Sequence, residues 1–219
     1  MTRGEEIAAA VAAVRARIAA AAAGAGRDPD SVTLVAVGKT KPLPDLLHAY
    51  AAGIRHFGEN RVQEAETKFP ELAPDAKRHL IGPVQSNKAN RAAKIADVVQ
   101  TVDSAEIARR LARGAEAAGK RLTVLIEVRL GGEGTKAGVE PAALDALAAE
   151  VRALPSLGLA GLMTIPPPGE TRPHFATLRR LGEGLGLREL SMGMSDDFEA
   201  AIEEGATLVR VGTAIFGAR

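Results

Sequence analysis

Lys39 closes the apolar run Val32-Thr33-Leu34-Val35-Ala36-Val37, which breaks into Gly38-Lys39-Thr40-Lys41-Pro42. A run this rich in β-branched side chains, ended by Gly and Pro, reads as a buried strand leading into a loop. A lysine at the carboxyl end of such a strand presents its amine at the mouth of an α/β fold, where ligands bind. Partial desolvation there eases loss of the proton, and the free amine can capture an aldehyde as a Schiff base. A solvated loop lysine is the alternative, and the rest of the chain has to decide.

The run Val209-Arg210-Val211-Gly212-Thr213-Ala214 is the best phosphate candidate. Gly212 lets backbone approach a ligand closely, and consecutive N–H groups at 212–214 could cradle oxygens. Ser195, before Asp196 and Asp197, offers a hydroxyl and the start of a helix. The simpler readings are an N-cap for Ser195 and a turn residue for Gly212. Arg210 sits in an apolar strand, where a guanidinium is rarely buried without a partner. It either pairs with a neighbouring carboxylate or points at a ligand acceptor. Asn60 could donate to a ligand or cap the helix that starts near Arg61. Gln85, Asn87 and Lys88 could line the same pocket, with capping and solvation explaining them equally well. His79 reads as a satisfied core histidine. Gly131–Gly134 resembles a flexible lid or phosphate loop, yet it matches neither a P-loop nor a placed GxGxxG. Asp196 and Asp197 are adjacent on a helix and do not converge, so a helix-dipole role is expected for them.

The elements that must position these residues alternate. Strand patterns fall near 32–37, 54–57, 79–82, 98–102, 122–130, 157–165, 189–193 and 208–211. Helical patterns fall at 45–52, 61–68, 86–96, 105–118, 141–153, 172–184 and 196–204, several with start signals such as Ser104 and Pro141. About eight β/α units in this length predict a compact (β/α)8 barrel of the TIM type. It is expected to be a single domain over 1–219, with an additional N-terminal helix within 1–26. A doubly wound open sheet is the alternative. The polar candidates all lie on the strand-to-helix side, where barrel active sites are built.

Composition narrows the function classes. A net charge of +1, from 28 basic and 27 acidic residues, gives no global field favouring nucleic acid or a membrane surface. Aromatics at 3% argue against base-stacking surfaces. The absence of cysteine excludes disulfides and thiol catalysis and fits a reducing compartment. The four histidines show no metal-ligand spacing, so no metal site is expected. The Ala-rich start carries Glu5, Glu6, Arg15 and Arg17, which suits an amphipathic helix with Ile7, Val11, Val14 and Ile18 on one face better than a secretory signal. A cytoplasmic protein without membrane or nucleic-acid partners is expected.

Several blocks in order resemble the YggS/PROSC family of pyridoxal 5′-phosphate homeostasis proteins. They are Val37–Lys41, Phe57–Asn60 with Gln63-Glu64, His79–Lys88, Gly161–Met163, Ser191–Asp197 and Arg210–Gly217. The resemblance implies a barrel like the N-terminal domain of alanine racemase, with pyridoxal phosphate held as an imine on Lys39. It implies phosphate contacts from Ser195, Gly212 and Thr213, Asn60 near the cofactor, and Arg210 facing the pyridine nitrogen. Arginine gives up no proton at ordinary pH, so the ring would stay a weak electron sink. Gly38 stands where the family commonly has Ser, Arg78 where an aromatic often precedes the histidine, and the loop 166–173 is short.

Three functions remain distinct: a non-catalytic carrier that buffers or delivers the cofactor, an amino-acid racemase, and a Schiff-base aldolase acting on a sugar phosphate. Racemisation needs bases on both faces of the imine. The racemase tyrosine that supplies one comes with a C-terminal domain, expected to be absent from a chain ending at Arg219. The only tyrosine, Tyr50, is expected in the core. Lys41, Glu59 and Asp103 could serve an aldolase, though nothing in the spacing fixes their geometry. The carrier reading leads, with no catalytic residue assigned, a monomer as the default state, and pyridoxal-phosphate-dependent apo-enzymes as possible recipients.

Overall fold

The computed structural model describes residues 1–131 and 137–218. Its parallel strands close into a barrel in sequence order. They are β1 (Thr33–Val37), β2 (His56–Glu59), β3 (Lys77–Leu80), β4 (Val98–Val102), β5 (Leu122–Glu127), β6 (Leu157–Met163), β7 (Glu189–Ser191) and β8 (Leu208–Val211). β1 closes the ring: Val35 lies opposite His56 of β2 on one side and Arg210 of β8 on the other. Helices connect the strands: α2 (Leu43–Ala51), α3 (Val62–Lys68), α4 (Ala89–Ile95), α5 (Ala105–Ala117), α6 (Leu144–Arg152), α7 (Arg172–Gly184) and α8 (Phe198–Glu203). They follow the leading helix α1 (Arg3–Gly24), and the short α9 (Thr213–Phe216) ends the described chain. This is the (β/α)8 class with an N-terminal helix, and the open-sheet alternative is excluded by the β1–β8 pairing.

α1 starts at Thr2, whose hydroxyl accepts from the Glu5 N–H while the Glu5 carboxylate accepts from the Thr2 N–H, a capping box. By length and composition α1 could cross a membrane. Here its face of Ile7, Val11, Val14, Ile18 and Ala22 is buried, packed on α2, α8 and α9. At roughly 2 kcal/mol per fully buried aliphatic side chain, that face is ample to hold the helix on the barrel.

Where element limits differ from the sequence pattern, the causes are local. The helix expected over 86–96 opens as a 3-10 turn at Ser86–Lys88, and that over 141–153 does the same at Pro141–Ala143. The strand pattern over 122–130 stops at Glu127, beyond which the Val128 N–H donates to Met163 O and Val128 forms an isolated bridge to Val139. α9 has no helical periodicity to announce it, being only one turn long.

Candidate functional site

The barrel mouth at the strands' carboxyl ends holds a cavity of about 220 Å³. Lys39, Asn60, Ser195, Arg210, Gly212 and Thr213 all line it. Residues far apart in sequence meet there because they lie at or just beyond the carboxyl ends of four barrel strands, β1, β2, β7 and β8.

Lys39 lies two residues beyond β1. Its loop is clamped by a cluster the sequence reading missed. The Lys68 ammonium, buried on α3, donates to Gly38 O (2.9 Å), Glu59 Oε1 (2.9 Å) and Glu64 Oε2 (3.1 Å). Glu64 Oε2 also accepts from the Thr40 N–H at 3.0 Å. The peptide is thus gripped on both sides of Lys39. The grip is needed, since Thr40 sits at φ 63°, a conformation costly for a β-branched residue. The spacing of Glu64 and Lys68 (i, i+4 on one helix) was the available signal. It gave no hint that the pair faces inward. Burial raises the Glu59 carboxyl to about 7 despite Lys68.

Asn60 follows β2 and is not a helix cap, because α3 is capped at Arg61. Its backbone is pinned by Gly82: a Cβ at position 82 would lie 2.4 Å from Asn60 O. Ser195 is not an N-cap either. α8 begins three residues later, behind Asp197, whose carboxylate accepts from the Met194 N–H at 2.7 Å. Ser195 Oγ instead accepts from the Ala214 N–H at 3.3 Å, tying the loop after β7 to the first turn of α9. Gly212 is closely packed, since a Cβ there would come within 3.2 Å of Val37 O, tighter than an ordinary contact.

Arg210 is 3% exposed and lies on the cavity floor. Its guanidinium donates to Ser191 Oγ (2.7 Å) and to Thr164 O (2.9 Å), so its first partners are neutral. Burial lowers it to about 10, with Glu127 and Asp197 pulling the other way, and it stays cationic at pH 7. Glu127, at the end of β5, is pushed up to about 7 by burial first and by Asp103 second, against the pull of Arg210. A carboxyl with a raised folded pKa binds more protons in the folded state. The stability it contributes is present below its usual 4.5 and is lost as pH rises through 7. Glu127→Gln is therefore expected to stabilise the protein at pH 8 relative to pH 5 by on the order of 2 kcal/mol. Thermal unfolding of both proteins at the two pH values checks this, and equal changes in Tm at both would refute it.

Other sequence candidates lie elsewhere. Gln85, Asn87 and Lys88 belong to the 3-10 turn after β3 and do not line the cavity. His79 is buried and satisfied, 2.9 Å from Gln100 Nε2 and 2.9 Å from His56 Nδ1. Tyr50 is half-buried rather than in the core, donating to Asp75 Oδ1 at 2.7 Å beneath the Arg55 guanidinium. Lys41 lines the cavity, but its amine donates to Gly217 O and Ala218 O. Of the Gly131–Gly134 segment, residues 132–134 lie outside the described residues.

The donor set suits a small aldehyde that also carries a phosphate. It combines an amine, a hydroxyl with a one-turn helix start, and a fixed guanidinium around one small cavity. The chain matches the family described as alanine racemase, N-terminal domain, over residues 10–219. It is 50% identical to the pyridoxal phosphate homeostasis protein of Pseudomonas aeruginosa, over 97% of this chain and 96% of that one. It is similar to PipY of Synechococcus elongatus, in a structure with PLP bound, at TM-score 0.84 and 42% identity, covering 96% of this chain and 100% of PipY. Alanine racemase from Streptomyces lavendulae shares the fold at TM-score 0.74 and 18% identity, over 99% of this chain and 58% of that enzyme.

Proposed function

The chain belongs to the alanine racemase N-terminal-domain family and, within it, to the pyridoxal phosphate homeostasis proteins, and from that premise we propose that it binds pyridoxal 5′-phosphate in the barrel-mouth cavity. Lys39 holds the cofactor as an imine, and the protein buffers or delivers it in the cytoplasm without a catalytic role of its own. The observation that carries this reading is the convergence of the Lys39 amine, the Ser195 hydroxyl, the Gly212–Thr213 turn and the Arg210 guanidinium on one cavity.

Each residue has a task the geometry supports. Lys39 supplies the nucleophile, and the clamp on Gly38 and Thr40 limits where its side chain can start. Ser195 and the first turn of α9, already bonded to each other, offer donors for a phosphate. Arg210 is an obligate donor, so it would leave an acceptor nitrogen of the cofactor unprotonated if it held one. When bound, the cofactor would supply an electron sink, which an arginine hydrogen-bonded to its ring nitrogen would weaken.

The carrier reading gains from the lining itself. Among the described lining residues no tyrosine or histidine stands opposite Lys39 as a second base, and the Lys41 amine is committed to two carbonyls. Glu59, a conceivable partner for aldolase chemistry, is committed to Lys68.

Intact mass after borohydride reduction of the purified protein, followed by peptide mapping, tests the reading. A pyridoxyl-phosphate adduct on the peptide containing Lys39 is the expected result. No adduct after incubation with excess cofactor would overturn it, and an adduct confined to other lysines would overturn the assignment of Lys39.

A further inference from the structure

A chain of hydrogen bonds leads from Arg210 away from the cavity and through the barrel interior. Arg210 Nη1 donates to Ser191 Oγ (2.7 Å), and Ser191 Oγ donates to Gln100 Oε1 (2.6 Å). Gln100 Nε2 lies 2.9 Å from His79 Nδ1, and His79 Nε2 lies 2.9 Å from His56 Nδ1. The Ser191–Gln100 bond joins β7 to β4, which are not neighbours in the ring, so the chain crosses the interior. Arg210, Ser191, Gln100 and His79 are all buried. The far end, His56, is the first residue of β2 and lines a second cavity of about 480 Å³ at the strands' amino ends, with Arg15, Asp30 and Arg55.

The direction of every proton in this chain follows from its first member. A guanidinium only donates, so Ser191 Oγ accepts from Arg210 and spends its one hydrogen on Gln100 Oε1. The Gln100 amide must then donate to His79 Nδ1. That leaves the single ring proton of neutral His79 on Nε2, donated to His56 Nδ1. Reversing the Gln100 amide would make Ser191 accept twice and strand its hydroxyl hydrogen in a dry interior, at about 1–3 kcal/mol.

We propose that Gln100 and His79 are positioning residues for Arg210: the one-way chain holds the guanidinium at the cavity floor and couples it to the protonation of His56 at the opposite end of the barrel. Only the link from Arg210 to the cofactor ring rests on the function proposed above. A second proton on His56 would set its Nδ1–H against His79 Nε2–H, forcing the His79 tautomer and the Gln100 amide to reverse while Arg210 still donates to Ser191, whose hydroxyl hydrogen would then lose its acceptor. The charged and titratable groups around His56 are Lys77 and His79 on β3, Glu189 on β7, and Arg15, Asp30 and Arg55 at the second cavity. Burial and Lys77 hold it below its ordinary value, with Glu189 opposing.

Nitrogen NMR of the histidine rings in the cofactor-free protein tests the assignment directly. His79 is expected unprotonated at Nδ1 and protonated at Nε2. Gln100→Glu keeps the shape but replaces the donor with a second acceptor. It is expected to move the His79 proton to Nδ1 and to raise the pH at which His56 titrates. Gln100→Leu is expected to leave a mixture of the two His79 forms. After loading with pyridoxal phosphate, both variants are expected to keep the Lys39 adduct mass but to shift the absorbance of the bound cofactor. A His79 proton on Nδ1 in the unmodified protein would overturn the proposal. So would a folded Gln100→Glu protein with an unchanged His79 ring and unchanged bound absorbance. Failure of the unmodified protein to bind the cofactor would count against the proposed function alone, because the ring tautomers are read without it.

Discussion

Lys68→Met is expected to lower the stability of the protein by about 3–5 kcal/mol, equivalent to about 10 °C in Tm for a chain of this size. Lys68 faces Glu59, which is fully buried and whose Oε2 has no hydrogen-bond partner among the described residues. Removing the ammonium leaves a carboxylate without compensation in the interior, which is the costly way to break a buried pair. The carboxylate can respond by staying protonated, since burial already holds it near 7. The loss is therefore expected to be larger at pH 8 than at pH 5. Lys68→Met combined with Glu59→Gln is expected to recover much of it, because the second change removes the stranded charge. Urea unfolding of the two single variants and the double variant measures the coupling. A double variant as unstable as the sum of the singles would show that Lys68 acts by packing alone. The same substitution frees Gly38 O and weakens the hold on Thr40, so faster amide exchange at Thr40 is expected alongside.

Lys39→Ala is expected to abolish the borohydride-trapped adduct at that peptide and to weaken retention of pyridoxal phosphate by at least about a hundredfold. Stability should change by less than about 0.5 kcal/mol. Lys39 is half-buried on a loop, and among the described residues no carboxylate pairs with its amine, so its removal leaves nothing stranded. Lys39→Arg separates charge from nucleophilicity: it keeps the cation and is expected to lose the adduct just as completely. Residual, reversible binding that inorganic phosphate displaces is expected in both variants, because Ser195, Gly212 and Thr213 remain. Equilibrium dialysis with and without phosphate checks this. Unimpaired retention in Lys39→Ala would remove the imine from the account.

The barrel was legible because its signals are local and repeated. Short β-branched runs such as Thr33–Val37 and Val98–Val102 alternate with helical stretches such as Arg172–Gly184, and these limits agree closely with the structure. That Lys39, Asn60, Ser195, Arg210, Gly212 and Thr213 would meet was also legible, since a strand's carboxyl end is where a parallel barrel opens, and they line one cavity. Capping was read less well. Ser195 and Asn60 both fit the composition of an N-cap, yet helix starts shift by one or two residues once a loop finds other partners, here Ala214 for Ser195 and the backbone against Gly82 for Asn60.

Residue order by itself determined the strand–helix alternation and the strand-end placement of the polar residues, Lys39 after β1 among them. The partners of those residues were decided only by tertiary structure. Lys68 reaches Gly38 across thirty positions, and Ser191 reaches Gln100 across ninety-one, through a barrel wall that exists only once β1 and β8 have paired. Local pattern reports which apolar face of an element turns inward, though not that the Glu64–Lys68 pair does. Which donor meets which acceptor inside depends on ring closure and register, and these are properties of the assembled sheet.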